Sequence, residues 1–476
     1  MNKLDQKTKL ITEGSIVRSL FVIAWPIVLG NTMQTAYQLI DTFWVGRLGA
    51  NAVAAVSVCF PLIFILLAFG FGLSIAGTIF VSQYAGARKH DMVNHVAAQT
   101  LMLIVFVAIV LSCLGYLSSP YVLRLIGVGD DIFGNANHYL QISYIGMIFT
   151  YGFVVFQSIL RGIGEVRYPL YVITLSVMLN AIFDPLFIFG WGPVPGYGVS
   201  GAAYSTIATQ FIGTAIGVYV LFKGYFGIHL KLSDFIPDWP MIERAIRVAL
   251  PASLEQSVRT LGSIMLVFLA TGFGTLALAT FGIGMRIMSF IFIPAFGLGM
   301  ATTTLVGQNI GAGNVDRAVR AARLSGWVGF CALTAFAFLF YIFAEPLIRF
   351  FVPGDEELIS AGAVFIRIAG LSFGFIGGQQ CLLGAFRGAG GTTSAMLISL
   401  ITQWVFQFPI SYFLCRHTTL AETGIWWGFP VANSISIIIT ILWFKFGSWK
   451  KINLTREEEF REHLEEEILI EEHLQQ

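Results

Sequence analysis

Charged residues are scarce in this sequence. They make up 12% of its 476 residues, whereas hydrophobic residues make up 56%. A soluble globular chain carries about 25% charged residues, so the deficit excludes an ordinary soluble domain. It predicts an all-α polytopic membrane protein. The formal net charge of +1 offers no basic surface to a polyanion, and we expect no nucleic-acid partner.

Cysteines and catalytic motifs are scarce as well. The five cysteines stand singly in apolar segments and form no CxxC spacing, which disfavours metal or redox use. The predicted spans contain no HExxH or GxSxG motif. We therefore expect neither an enzyme nor a bound cofactor. The polar first 15 residues are not followed by a small-residue cleavage site, so we expect no removable signal peptide.

Long apolar runs, in contrast, are abundant. A run of about 20 residues at 1.5 Å each crosses a ~30 Å hydrocarbon layer. Twelve runs reach this length, at 17–46, 52–83, 92–117, 134–158, 168–191, 198–222, 242–271, 275–306, 318–343, 358–385, 393–415 and 423–446. Twenty-one lysines and arginines fall on the side of the termini and four on the other. This bias predicts two cytoplasmic termini, and we expect the chain to lie in the plasma (inner) membrane.

The chain repeats itself with an offset of about 225 residues. VSQYAGARKHD at 81–91 matches VGQNIGAGNVD at 306–316, and RGIG at 161–164 matches RGAG at 387–390. Each copy holds six predicted spans, so both copies have the same topology. We therefore predict two six-helix lobes related by a pseudo-two-fold axis along the membrane normal, with a cavity at their junction.

The repeat and the polar connectors define five segments. They are an N-terminal segment at 1–16, an N-lobe at 17–222, a cytoplasmic linker at 223–241, a C-lobe at 242–447 and an acidic tail at 448–476. The tail has leucine and isoleucine at helical spacing, which indicates an amphipathic helix or a frayed end.

Polar residues within the first lobe have no counterparts in the second. The first lobe has Asp41, Asn180, Asp184 and Thr206, where the second has Leu266, Phe406, Ile410 and Ala432. A carboxylate inside a span costs at least ~2.5 kcal/mol on insertion scales, so it needs a partner or a function. Asp41, Asp184 and Thr206 lie roughly 7–12 Å below the outer surface at 1.5 Å per residue, and Asn180 is one turn from Asp184 on the same face. Their oxygens suit Na⁺, or a proton shared between the acids; the alternative is a helix interface in which Tyr and Asn merely satisfy the acids.

Other residues are expected to support this cluster or to gate the cavity. Gln34 and Tyr37 share a helical face with Asp41, Tyr139 enters at a similar depth, and Pro26 allows helix 1 to bend. In the second lobe, Glu255 and Arg259 are spaced i, i+4, which predicts an ion pair within the helix or a gate. Arg286 is a candidate for the cavity wall or the gate, and no acid partner is evident for it or for Arg367.

The chain resembles the MATE family of multidrug and toxic compound extrusion transporters over about residues 15–447. The resemblance rests on MQTAYQLIDTFWVGRLG (33–49), VSQYAGA (81–87), QSILRGIGEVRYP (157–169), NAIFDPLFIFG (180–190), GVSGAAYST (198–206) and VGQNIGAGN (306–314). It is similar to the archaeal and DinF-like branch, in which the first-helix acid is present. The family's functional acids fall on Asp41 and Asp184, with Asn180 and Thr206 as companions. The family's glutamate two turns into helix 7 is replaced by Arg259, which favours coupling through the first lobe.

The resemblance implies antiport, in which an organic cation or amphipathic drug leaves the cell while Na⁺ or H⁺ enters. The expected partners are drug molecules and membrane lipid, and the expected state is a monomer. A lipid-linked saccharide flippase of the same superfamily is the alternative. It would need a cationic cavity, for which Arg259, Arg286 and Arg367 are available. The acids of the first lobe favour the antiporter.

Overall fold

The computed structural model describes residues 3–452 and 454–455, and almost all of them are helical. The first half contains α1 (Lys3–Glu13), α2 (Ile16–Gly46), α3 (Ala50–Gly86), α4 (His90–Leu125), α5 (Asp130–Gly162), α6 (Arg167–Phe189) and α7 (Val199–Lys223). The second half contains α8 (Trp239–Thr271), α9 (Thr275–Gly311), α10 (Val315–Ile342), α11 (Ala344–Phe351), α12 (Glu356–Gly370), α13 (Phe373–Gly388), α14 (Thr392–Leu400), α15 (Phe408–His417) and α16 (Thr423–Phe446). The predicted tail helix falls almost wholly outside the described residues.

The apolar helices account for the expected membrane spans. Within the described residues, ten helical segments are long and apolar enough to cross a membrane, one of them running from α14 through α15. The bent pair of α12 and α13 makes an eleventh span. The helix at the twelfth predicted span is α8, which has 33 residues but does not meet this criterion and carries Glu255 and Arg259. The predicted all-α membrane fold with two six-helix lobes is thus confirmed.

Two spans that the sequence predicts as single helices are interrupted. The span at 358–385 bends by 46° between α12 and α13. At the bend, the Ser372 hydroxyl donates to the Ala369 carbonyl, and it competes there with the backbone N–H groups that such a carbonyl accepts from in a regular helix. The span at 393–415 contains a π-helical turn at Ile401–Gln407. Pro409 follows this turn and lacks a backbone N–H, so the regular hydrogen-bond ladder cannot continue through it.

The two lobes are joined by a pair of equivalent hydrogen bonds. The Gln83 side-chain amide donates to the Gly388 carbonyl at 2.9 Å, and the Gln308 amide donates to the Gly162 carbonyl at 2.9 Å. Each bond connects the same two positions of the repeat in opposite lobes. The structure therefore has the internal symmetry that the sequence repeat predicts. We call this contact the inter-lobe seam.

Glycine lets the helices approach at the seam. A Cβ on Gly86 of α3 would collide with the Gln308 carbonyl, and a Cβ on Gly311 of α9 would collide with the Gln83 carbonyl. The seam lies at the ends of α3 and α9, on the membrane side that carries the termini. In the described residues, the side-chain hydrogen bonds between lobes lie from the helix midpoints to this side. These bonds thus close the junction on this side.

Candidate functional site

A cluster of polar side chains joins α2, α6 and α7 in the first lobe. The Asn180 amide nitrogen lies 3.0 Å from Asp41 Oδ1, 2.9 Å from Asp184 Oδ1 and 3.2 Å from Ser205 Oγ. Asn180 and Asp184 are one helical turn apart, so both face the same neighbours. Both are fully buried, and Asp41 is partly buried. The structure thus brings together three of the four residues that the sequence predicts.

Thr206, the fourth predicted residue, lies at the edge of this cluster. Its hydroxyl is 3.4 Å from Asp41 Oδ2, which is long for an O–H···O hydrogen bond. Thr206 therefore contacts Asp41 weakly in this arrangement, and a small shift of α2 against α7 would bring it into bonding range.

The cluster has more acceptors than donors. Asp184 Oδ2 and Asn180 Oδ1 are buried and make no hydrogen bond. In the described part of the chain, no basic side chain forms an ion pair with Asp41 or Asp184. Buried polar atoms are nearly always paired, and a buried acid needs a counter-charge. The arrangement is therefore suited to holding a small cation, either Na⁺ among oxygen ligands or a proton on an acid.

The supporting residues lie around this cluster and beside the cavity. The Tyr37 hydroxyl is 2.7 Å from Thr209 Oγ1, a bond that connects α2 to α7. Tyr139 is buried in the same apolar cluster as Tyr37. Gln34 is exposed and lines the cavity between the lobes, and Pro26 is buried in α2.

A second charged cluster lies in the other lobe, around Glu255. Arg387 approaches this carboxylate with two nitrogens, at 2.5 Å from Oε1 and 3.2 Å from Oε2. Arg259 Nη2 and Ser399 Oγ each lie 3.0 Å from Glu255 Oε1. Glu255 is only 3% exposed. One buried acid thus neutralises part of the charge of two arginines and ties α8 to α13 and α14.

A cavity of about 280 Å³ lies between the lobes, beside the seam. Its aromatic wall residues are Phe71, Phe292 and Phe296, and its charged residues are Arg161, Glu255 and Arg387. A second cavity of about 240 Å³ extends into the C-lobe and is lined by Arg259. The two cavities share the walls formed by Phe292 and Phe296, so together they provide a mixed aromatic and polar space for a ligand.

Two arginines that the sequence left unassigned lie away from these cavities. Arg286 is exposed on α9 and lines neither of them. Arg367 forms an ion pair with Glu345 at 3.0 Å, in which the arginine side chain is 37% exposed and the glutamate side chain 53%. The structure thus supplies the partner that sequence reasoning could not find for Arg367.

Sequence reasoning missed several contributing residues. Ser205 and Thr209 lie on the same face of α7, one turn apart, and the first of them directly precedes Thr206. That spacing could have indicated them. Arg387 could have been found from the repeat, since it is the counterpart of Arg161. Ser399 carries no such signal.

Comparisons with known proteins identify the family. The MatE family model matches residues 26–186 and 251–413. "Probable multidrug resistance protein YpnP" of Bacillus subtilis is 30% identical, and the match covers 94% of this chain and 98% of that protein. "Probable multidrug resistance protein NorM" of Thermotoga maritima is 29% identical, with coverage of 93% and 95%.

Solved structures agree with this match. The structure described as "Crystal structure of MATE in complex with MaL6" has a TM-score of 0.87 at 25% identity, and the match covers 94% of this chain and 99% of that one. The structure described as "Outward-facing conformation of a multidrug resistance MATE family transporter of the MOP superfamily" has the same fold, with a TM-score of 0.88, 24% identity and coverage of 94% and 99%. The expected resemblance is confirmed: the chain belongs to the MatE family of MATE transporters.

Proposed function

We propose that this protein is a secondary antiporter that exports organic cations or amphipathic drugs in exchange for Na⁺ or H⁺. The relatives named as multidrug resistance proteins support the export of drugs. The cavity with aromatic walls between the lobes supports a broad substrate range. Coupling to a cation is supported by two buried oxygens that make no hydrogen bond, Asp184 Oδ2 and Asn180 Oδ1, in a cluster that also contains the Asp41 carboxylate.

The cycle follows from competition for the same acids. With the cavity open to the outside, Asp41 and Asp184 take up the coupling cation, and their charge is neutralised. A cationic drug then loses its electrostatic partner and leaves, while α2 bends near Pro26. Drug and ion compete for overlapping acids, so binding of one lowers the affinity for the other. This difference in affinity couples export of the drug to entry of the ion.

The orientation and the assembly are part of the same proposal. We place the chain in the plasma membrane, with both termini in the cytoplasm because lysines and arginines are concentrated on the terminal side. The seam then lies on the cytoplasmic side of the cavity. The acids, the cavity and the seam all come from one chain, which supports a functional monomer.

The test uses the purified protein in proteoliposomes that export a cationic dye under an imposed Na⁺ or pH gradient. We expect Asp184→Asn to abolish gradient-driven export, because the neutral amide cannot replace the carboxylate that binds the coupling cation. Asp130→Asn is the matched control, since Asp130 is exposed at the start of α5, and it should export at the wild-type rate. Full gradient-driven export by Asp184→Asn would refute the role of this acid.

Direct binding of radioactive Na⁺ separates the two coupling ions. Wild-type protein that binds Na⁺, with loss of binding in Asp184→Asn, would assign sodium. Export that follows the pH gradient without Na⁺ binding would assign the proton.

A further inference from the structure

The floor of the cavity, next to the seam, carries more positive than negative charge. Arg161 and Arg387 occupy equivalent positions in the two copies of the repeat, and both line the cavity. Arg387 is paired with Glu255. At the repeat offset of 225 residues, the position equivalent to Glu255 in the first copy is Gly30. Arg161 therefore lacks the acid that its counterpart has.

Arg161 has a poor substitute for that acid. Its Nη1 lies 3.0 Å from the thioether sulfur of Met300, a weak acceptor. No carboxylate in the described residues lies within ion-pair distance of its guanidinium. A partly buried guanidinium with five donors is costly without an anion, because its loss of hydration is not compensated. The cavity thus contains a cationic group without a counter-charge.

We propose that Arg161 binds the carboxylate of an amphipathic aromatic compound that enters the cavity. The planar guanidinium matches the two oxygens of a carboxylate, and such paired bonds are stronger than neutral ones. Phe71, Phe292 and Phe296 supply the apolar wall for the rest of the molecule. The proposal rests on the export function and names one contact in it: Arg161 would hold the carboxylate of a zwitterionic substrate.

Arg161 and the acid cluster of the first lobe lie at different depths in the protein. Asn31 on α2 lines the cavity together with Arg161. Asp41 lies ten residues further along the same helix, roughly 15 Å along its axis. Asp41, Asn180 and Asp184 do not line this cavity, so a carboxylate contact at Arg161 would be separate from the acid cluster.

The test compares two dyes that differ at one group. Rhodamine 110 carries a free carboxyl, and rhodamine 123 is its methyl ester. The measurement is the dissociation constant of each dye for the purified full-length protein, by fluorescence anisotropy. We expect Arg161→Gln to weaken rhodamine 110 binding about tenfold, as for loss of a charge-assisted pair. Rhodamine 123 should change by less than about twofold, since it has no carboxylate.

Two further variants keep the result interpretable. Arg124→Gln removes an exposed arginine at the end of α4 and should leave both affinities unchanged. Arg161→Lys keeps the charge but loses the paired geometry, so it should lower the preference for rhodamine 110 less than Arg161→Gln does. It also serves as the test variant if Arg161→Gln does not fold.

The outcomes distinguish this site from the export function. If Arg161→Gln weakens both dyes equally, or neither, the carboxylate site is refuted while gradient-driven export of rhodamine 123 still supports the function. If the wild-type protein neither binds nor exports either dye, both proposals are refuted. A selective loss of rhodamine 110 binding supports the site.

Discussion

Replacing Glu255 by glutamine should strongly destabilise the protein. The substitution preserves the shape of the side chain but removes the charge that pairs with Arg387 and Arg259. The new amide donors would face guanidinium donors at 2.5–3.2 Å. Arg387 is only 8% exposed, so water in the cavity that it lines reaches little of the guanidinium and replaces the lost partner poorly. Removing one partner of a buried ion pair costs about 3–5 kcal/mol, a hundredfold to a few thousandfold in the folding equilibrium.

The measurement is the free energy of unfolding from denaturant titration in detergent micelles. The matched control is Glu356→Gln, because Glu356 also accepts two bonds from one arginine, Arg349, at 2.5 and 2.8 Å. That pair is more than half exposed on both sides, and an exposed pair contributes about 0.2–1 kcal/mol. If Glu255→Gln costs no more than Glu356→Gln, burial does not determine the strength of these pairs and the reasoning is wrong.

Two further predictions concern contacts between helices. Gln308→Leu removes one of the two seam bonds, worth about 1 kcal/mol, so the population with an open seam should rise about fivefold. Distances between spin labels on the loops after α3 and α9 would measure this population. An unchanged distance distribution would contradict the role of the seam. Tyr37→Phe removes the 2.7 Å hydrogen bond to Thr209 and should lower the free energy of unfolding by about 1 kcal/mol. The control is Tyr225→Phe, at an exposed tyrosine. An equal loss of unfolding free energy in both variants would count against the contribution of this bond.

Sequence alone predicts most of the fold because apolar length and an internal repeat are strong signals. The interruptions at 371–372 and 401–407 were missed, since each depends on a local competition for backbone hydrogen bonds rather than on hydropathy. A run of apolar residues has the same hydropathy whether its helix is regular, bent or π-helical.

The candidate site is predictable only in part. Asn180 and Asp184 are one turn apart, and depth along the helices places Asp41 near them, so their meeting can be anticipated. The two oxygens without a hydrogen bond, Asp184 Oδ2 and Asn180 Oδ1, could not be anticipated, because they depend on the orientation of side chains from three helices. The pair formed by Glu255 and Arg387 joins residues 132 positions apart, and no local spacing encodes that contact.

The inter-lobe seam has a consequence for how membrane voltage acts on the protein. Both of its bonds join an uncharged amide to an uncharged backbone carbonyl. Breaking or forming them moves no net charge through the electric field, which acts at about 2.3 kcal/mol per elementary charge for each 100 mV. The seam thus contributes no gating charge. Voltage bears on the transport cycle through the acids, the arginines and the charged ligands that they hold.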